Sequence, residues 1–381
     1  MKRIGLVGFL IFSNFLFSND KLSEFEKYKA NKKTMYKEYK SEMERRFENY
    51  KNNIEEEWTQ IEIPDRYKWV EYSDDFKERT IVDYENEEVV IQVTVPKNSS
   101  DEQAQAKILK NMQGIMKQYV SGASKKNPFI DEKKIIKSKE AIVADIYKVN
   151  GKKSQEIEKE VKKLVAKEKP KVIPAKKKED KVVEIVVPFP KEGILAKASK
   201  YQNHVRKRSK EYDIEDSLIY AIMHSESAFN PMARSHIPAY GLMQIVPVSA
   251  GKDISKRLYG EVRIFTPEYL YDSEKNIEAG VNYLNLLYYS YLKGVKDPVS
   301  RKYCTIAAYN TGSGNVAKAF IGTTNLNKAL PIINSMGSKE VYNKLIKDLP
   351  YDETKHYLKK VTERDKYYNE KIQELKKLWM E

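Results

Sequence analysis

The chain has 381 residues, 41% of them hydrophobic, which is enough for two or three packed domains but not for a fibrous or disordered protein. Lys and Arg number 69 against 55 Asp and Glu, a formal net charge of +14, and many of the extra cations fall before Lys200. No zinc-finger spacing, RNA-binding aromatic signature or basic recognition helix accompanies that charge, so no nucleic-acid partner is expected; an anionic polymer or a peripheral membrane contact fits it better.

Lys2 and Arg3 precede an apolar run from Ile4 to Phe17, and Ser18-Asn19-Asp20 follows. A positive start and a short apolar core read as a secretory signal over residues 1–18, and therefore a periplasmic protein. The run is shorter than the ~20 residues of a spanning helix; an uncleaved anchor is the alternative. No cysteine stands near its end to carry a lipid. Residues 19–60, rich in Lys, Glu and Tyr, read as a charged helical spacer.

From Tyr67 the period changes. Lys68–Tyr72, Arg79–Tyr84 and Val89–Val95 are β-branched and aromatic runs that predict strands, the last two joined as a hairpin through Glu85–Glu88. Asp101–Tyr119 follows as a helix with Ile108, Met112 and Ile115 as core positions. Glu156–Lys169 is a second, charged helix. Pro170, Pro174 and Lys176–Lys178 predict an exposed connection, and Val182–Val187 one more strand. Residues 61–190 thus form a small α+β domain with a basic linker, and 191–381 a mostly α-helical one.

The second domain opens with a basic helix over His204–Tyr212. Asp213 is the expected N-cap of the next helix. In that helix Ile214, Leu218, Ile222 and then Glu226 recur every four residues on one face. Glu226 therefore continues an apolar stripe, and Asn230-Pro231 is expected to end the helix, since a residue before proline avoids helical geometry. A carboxyl group held away from water keeps its proton near neutral pH, the state a general acid needs. Further helices are expected over Asn276–Tyr291, with Ile277, Val281, Leu284 and Tyr288 on one face, and over Arg301–Tyr309, Asn315–Phe320 and Tyr351–Leu378.

Two more stretches carry chemistry. In Ala239–Pro247, Gly241 allows a tight turn and Gln244 offers a donor and an acceptor suited to sugar hydroxyls and N-acetyl groups. In Ala307–Val316 a helix end with Tyr309 and Asn310 opens into Gly312-Ser313-Gly314; no lysine follows as in a phosphate-binding loop. The lone Cys304 sits in an apolar helix and reads as a small buried hydrophobe. His204, His224, His236 and His356 form no metal spacing, so no metal or other cofactor is expected.

Glu226-Ser227, Gly241-Leu242-Met243-Gln244 and Ala308-Tyr309-Asn310, in this order, resemble the motifs of the family 1 lytic transglycosylases. A fourth stretch, Glu353–Leu358, resembles the family's last motif through Tyr357. The resemblance covers about Lys191–Tyr368. It extends, through Ala250–Asp253 and the long gap before Pro267, to a branch of the family named for a lipid anchor, for which this chain has no cysteine at its start.

The resemblance implies a goose-lysozyme-like catalytic domain, and so an α+β protein overall, acting on peptidoglycan glycan strands. It implies that Glu226 is acid and then base, breaking the bond between N-acetylmuramic acid and N-acetylglucosamine and leaving a 1,6-anhydro ring. Ser235, Met243 and Gln244 would contact substrate, Tyr309 and Asn310 would shape the pocket of the acid, and Tyr357 would hydrogen-bond near it. Ser227 is expected to support the helix end. A hydrolysing muramidase of the same fold is the first alternative; it would need a second carboxylate, for which Asp253, Glu261, Glu268, Asp272 and Glu274 are available. A non-catalytic wall-binding scaffold is the second.

Overall fold

The computed structural model describes residues 41, 45–122, 138–235 and 238–378. The chain divides into two compact units, Met1–Ile61 and Glu62–Glu381. In the first, residues 45–57 form a helix, α1, within the expected spacer. The expected signal at 1–18 lies outside the described residues.

The second unit begins with a five-stranded, wholly antiparallel sheet. Its strands are β1 (Lys68–Tyr72), β2 (Glu78–Asp83), β3 (Glu88–Pro96), β4 (Lys171–Pro174) and β5 (Asp180–Pro188), in the order β1-β2-β3-β5-β4. The β2–β3 hairpin forms as expected, with Glu87 taking the left-handed conformation its turn requires (φ 56°). Val89, Ile91, Val93 and Val95 alternate along β3 and are all buried. Helix α2 (Asp101–Lys117) covers β3 and buries Ile108, Met112 and Ile115. Helix α3 (Ser154–Val165) packs on α2 and β5 through Ile157, Val161 and Val165.

One strand was not expected. Residues 171–174 read as an exposed connection because of their prolines and lysines, yet they pair with β5 at the sheet edge, Val172 opposite Val183. Their side chains stay largely outside the core, which explains the missing apolar alternation.

The rest is helical: α4 (Gly193–Ser199), α5 (Gln202–Tyr212), α6 (Asp216–Ser227), α7 (Ala250–Tyr259), α8 (Pro267–Leu270), α9 (Ser273–Leu286, prolonged by a wide turn over Leu287–Tyr291), α10 (Pro298–Thr311), α11 (Ser313–Ile321), α12 (Leu326–Asn334), α13 (Ser338–Asp348) and α14 (Asp352–Leu378). The α+β class is as expected, with the small sheet preceding the helical part. Among the described residues no helix is long and apolar enough to cross a membrane.

Helix α6 is the centre of the helical part. It packs against α14 and α5 and is buried over nearly its whole length. Ile214, Leu218, Ile222 and Glu226 are all buried, so the stripe read from the sequence faces the interior. Its ends differ from expectation. Asp213 is not the N-cap; it stands in the left-handed region (φ 50°) as the C-cap of α5, and Glu215 precedes α6. At the other end the helix stops at Ser227, before Asn230-Pro231, because Ala228 and Phe229 both turn left-handed (φ 46° and 63°). Two such residues in sequence, neither glycine, are costly and persist only where packing holds them. Here Phe229 is wholly buried against Tyr201, Tyr220, His224 and Tyr368.

Candidate active site

The abrupt end of α6 leaves Glu226 on the wall of a cleft of about 870 Å³. Ser235, Gln244, Tyr309 and Asn310 line the same cleft, and so do Asp65, Arg66 and Tyr67 from the segment before β1. Only 6% of Glu226 is exposed. Burial pushes its carboxyl up to about 7; Tyr357 and the Arg66 cation oppose that rise, and the Glu353 carboxylate adds to it. The buried Tyr357 hydroxyl lies near this carboxyl and makes no hydrogen bond of ordinary geometry to a described residue.

The four stretches singled out in the sequence are joined by hydrogen bonds. Ser227 donates its hydroxyl to Leu242 O at 2.8 Å and to Met223 O at 3.1 Å, the helix-end support expected of it. The Tyr309 hydroxyl donates to Met243 O at 2.8 Å. The Thr354 hydroxyl donates to Asn310 Oδ1 at 2.7 Å. Asn310 is thus tied to α14 rather than to the Glu226 carboxyl.

The loop carrying Gln244 is held tightly. Gly241 has φ 74°, and a Cβ there would sit 2.3 Å from Leu270 O and 2.4 Å from Asn276 Nδ2, so only glycine fits. Asn276, wholly buried, accepts from Met243 N and donates to Tyr240 O and Leu270 O, each at 2.8 Å. Gln244 itself is left-handed (φ 48°). Its amide donates to Gly241 O at 3.0 Å, and its buried Oε1 has no partner among the described residues on the cleft wall. An unpaired buried acceptor is unfavourable unless a ligand supplies the donor.

Met243 departs from its expected role. Its side chain is wholly buried and packs on α9, where a Cβ at Gly280 would come 2.2 Å from its sulfur. It belongs to the core under the cleft; the loop uses its backbone N–H and C=O instead. Ser235 lies on the wall, its hydroxyl accepting from Ala239 N at 3.1 Å.

The acids considered as second carboxylates are elsewhere. None of Asp253, Glu261, Glu268, Asp272 and Glu274 lines the cleft. Asp253 accepts from Tyr291, Glu261 pairs with Arg263, Asp272 caps α9, and Glu274 meets Lys207. The cleft acids besides Glu226 are Asp65 and Glu353. Asp65 Oδ1 closes its own turn by accepting from Tyr67 N and Lys68 N at 2.6 and 2.7 Å, and Glu353 pairs with Arg66 at 3.5 Å.

Three functional features escaped sequence reading. The segment 65–67 carries no local motif, and its contacts span more than 150 residues of chain: Tyr67 donates to Ser225 O at 2.6 Å. Arg364 of α14 donates to His224 O at 2.9 Å and to Ser225 Oγ at 3.2 Å, bracing the end of α6. Asn276 could have been noticed as a polar residue beside Ile277 at the start of an apolar helix face, a position where an amide must find partners. His224, behind Glu226, is held at about 2 by burial and by the Arg364 and Lys360 charges, so it is a neutral ring bonded to the Tyr368 hydroxyl at 3.0 Å.

Comparisons with known proteins agree with the resemblance. Residues 203–332 match the family model described as the transglycosylase SLT domain. Residues 31–133 match the model for the N-terminal domain of membrane-bound lytic murein transglycosylase C. Curated proteins of that name are similar over somewhat less than half of the chain. The one from Pectobacterium atrosepticum is 45% identical over 172 residues, covering 45% of this chain and 47% of the relative. The one from Klebsiella pneumoniae is 43% identical over 175 residues, covering 46% and 48%. The match therefore spans about half the length of these relatives. Among solved structures, the 70 kDa soluble lytic transglycosylase of Escherichia coli is 27% identical over 45% of this chain and 24% of its own, with a TM-score of 0.35. The soluble enzyme in complex with bulgecin A is 26% identical over 48% and 25%, with a TM-score of 0.36.

Proposed function

We propose that this chain, which carries a transglycosylase SLT domain and a sheet region like that of membrane-bound lytic murein transglycosylase C, is a peptidoglycan lytic transglycosylase of the bacterial envelope. The observation that carries the reading is Glu226: one carboxyl group, buried on a cleft wall with its pKa pushed up to about 7. Such a group is partly protonated and partly ionised at neutral pH, so it can give a proton and take one back.

In the first step Glu226 protonates the oxygen between N-acetylmuramic acid and N-acetylglucosamine, and the bond from that oxygen to the muramoyl anomeric carbon breaks. The resulting carboxylate then removes the proton from the muramoyl 6-hydroxyl. That oxygen bonds to the anomeric carbon and closes the 1,6-anhydro ring. Glu226 ends protonated, as it began, and no water is consumed. The unpaired Gln244 Oε1 would accept from a sugar hydroxyl or N-acetyl N–H, and Ser235 would supply a second polar contact. Tyr309 and Asn310 hold the wall through Met243 O and Thr354. The Tyr357 hydroxyl bonds the carboxylate formed midway and eases its formation.

Asp65 is taken up by its own turn, and this supports the reading over the hydrolysing muramidase, which needs a free carboxylate to activate water; Glu353 is the acid a hydrolase would have to use. Domain bounds of 61–190 and 191–381, a periplasmic location after removal of residues 1–18, and a peripheral contact of the basic chain with an anionic membrane belong to the same proposal. Mass spectrometry of purified peptidoglycan digested by the full chain tests it. Anhydromuramoyl ends are expected; reducing muramoyl ends would establish the hydrolase instead, and an undigested wall would favour the scaffold.

A further inference from the structure

Arg66 is the one cation among the described residues that line the cleft, and it is contributed by the sheet region rather than the helical one. Its position is fixed from several sides. Its guanidinium lies 4.9 Å from the centre of the Tyr67 ring. Its backbone oxygen and that of Asp65 each accept from Asn230 Nδ2 at 3.4 Å, just past the end of α6. The neighbouring Tyr67 hydroxyl is bonded to Ser225 O, one residue before Glu226. The guanidinium and the acid are thus held on one wall by the same helix end.

Its charge is weakly committed. Among the described residues the carboxylate paired with it is Glu353, at 3.5 Å, and the Glu353 side chain is 68% exposed against 32% for Arg66. An ion pair of that length to an exposed, screened partner contributes little. A planar guanidinium can instead take both oxygens of a carboxylate through two parallel N–H bonds. The glycan backbone offers no such group, since N-acetylglucosamine and the muramoyl ring are neutral. Carboxylates occur only on the muramoyl substituent.

We infer that Arg66 is a specificity-determining residue that receives a carboxylate on the muramoyl substituent, displacing Glu353. The source is either a carboxylate of the stem peptide or the lactyl carboxylate left when the stem is absent. This rests on the peptidoglycan reading above. It gives the sheet region a direct part in selecting substrate.

The test measures KM and kcat of the full chain on four substrates: glycan with native stems, the same with its carboxylates converted to amides, stem-free glycan with free lactyl carboxylates, and that glycan amidated. The expected KM is about ten-fold lower for a carboxylate form than for its amide, the size of one charge-assisted contact. The stem-bearing pair or the stem-free pair that carries this ratio identifies the source. In R66Q the ratio should fall to near one while kcat changes much less, and R66K should restore part of it. E353Q, which removes the competing carboxylate, should lower KM for the carboxylate form, and it keeps the test open if R66Q fails to fold. A ratio that persists in R66Q, no ratio in the parent, or an unchanged KM in E353Q would overturn the inference. Anhydro products from the parent would leave the transglycosylase reading standing in each of those cases, so the two can fail separately.

Discussion

Two of the buried ionisable side chains of the larger unit, Lys197 and Glu226, are treated in opposite ways. Lys197 on α4 is wholly buried, yet it donates to Ala141 O at 2.6 Å and Ile142 O at 3.3 Å and lies 3.9 and 3.6 Å from Glu140 and Asp145. Glu140 in turn takes the hydroxyls of Tyr201 and Ser273. Burial lowers the pKa of Lys197, and the two acids oppose it. Glu226 is also deeply set but forms no ion pair among the described residues; Arg66 and Lys360 oppose the rise only in part, so burial dominates and its carboxyl holds a proton to about pH 7. A buried charge with partners on every side is a structural tie. A buried acid denied them is a proton reservoir.

The contrast can be broken most sharply at the acid. E226Q keeps shape and hydrogen bonding but has no proton to give, and wall-digesting activity is expected to fall at least about 100-fold, the lower size of general acid–base effects. Activity near that of the parent, measured by release of soluble muropeptides, would mean the reservoir is idle. K197M tests the other half. Removing the cation takes away the ion pair of Glu140 and leaves Asp145 with Lys200 at 2.9 Å, and denaturant unfolding near neutral pH should show a loss of about 3 kcal/mol. A neutral or stabilising result would mean that those carboxylates are solvated or protonated.

Stability against pH should then separate the two sites. The folded pKa of Glu226 lies above its reference of 4.5. Burying the protonated form is easy, so its contribution is fully present below about 4.5 and is lost as pH rises through about 7. E226Q has nothing to ionise. It should be more stable than the parent by about 3 kcal/mol near pH 8, converging with it near pH 4. Equal melting curves of the two proteins at the higher pH would deny the buried, raised carboxyl. The smallest effect concerns the Tyr357 hydroxyl near Glu226. Tyr357 lowers the pKa of the carboxyl. In Y357F the alkaline limb of the pH–rate profile should therefore move to higher pH, and a limb that stays or moves down would remove Tyr357 from contact with the acid.

Much of this was legible in the residues themselves. The strands at Lys68–Tyr72 and Val89–Val95 and helix α2 announce their core faces by period alone, because burial on one face imposes alternation or a three-to-four spacing. The stripe Ile214, Leu218, Ile222, Glu226 put an acid among apolar neighbours, and the structure keeps it there. Local reading erred where an element depends on a partner. The edge strand at Lys171–Pro174 needs β5, and the left-handed end of α6 needs the aromatic nest around Phe229. Met243 looked like a wall residue beside Gln244, but its fit against Gly280 turns it inward.

The sequence by itself determined which residues could hold a proton, which had to be buried and where the chain could turn, because those follow from side-chain chemistry and spacing. Only the tertiary structure decided that Asn276, Ser227 and Tyr309 converge on one loop, and that Arg66 reaches the cleft from before the first strand. The reason is physical. Hydrophobic period is a property of neighbours along the chain, whereas a hydrogen bond across 158 residues, as from Tyr67 to Ser225, depends on how two surfaces meet, and no short stretch of sequence encodes that meeting.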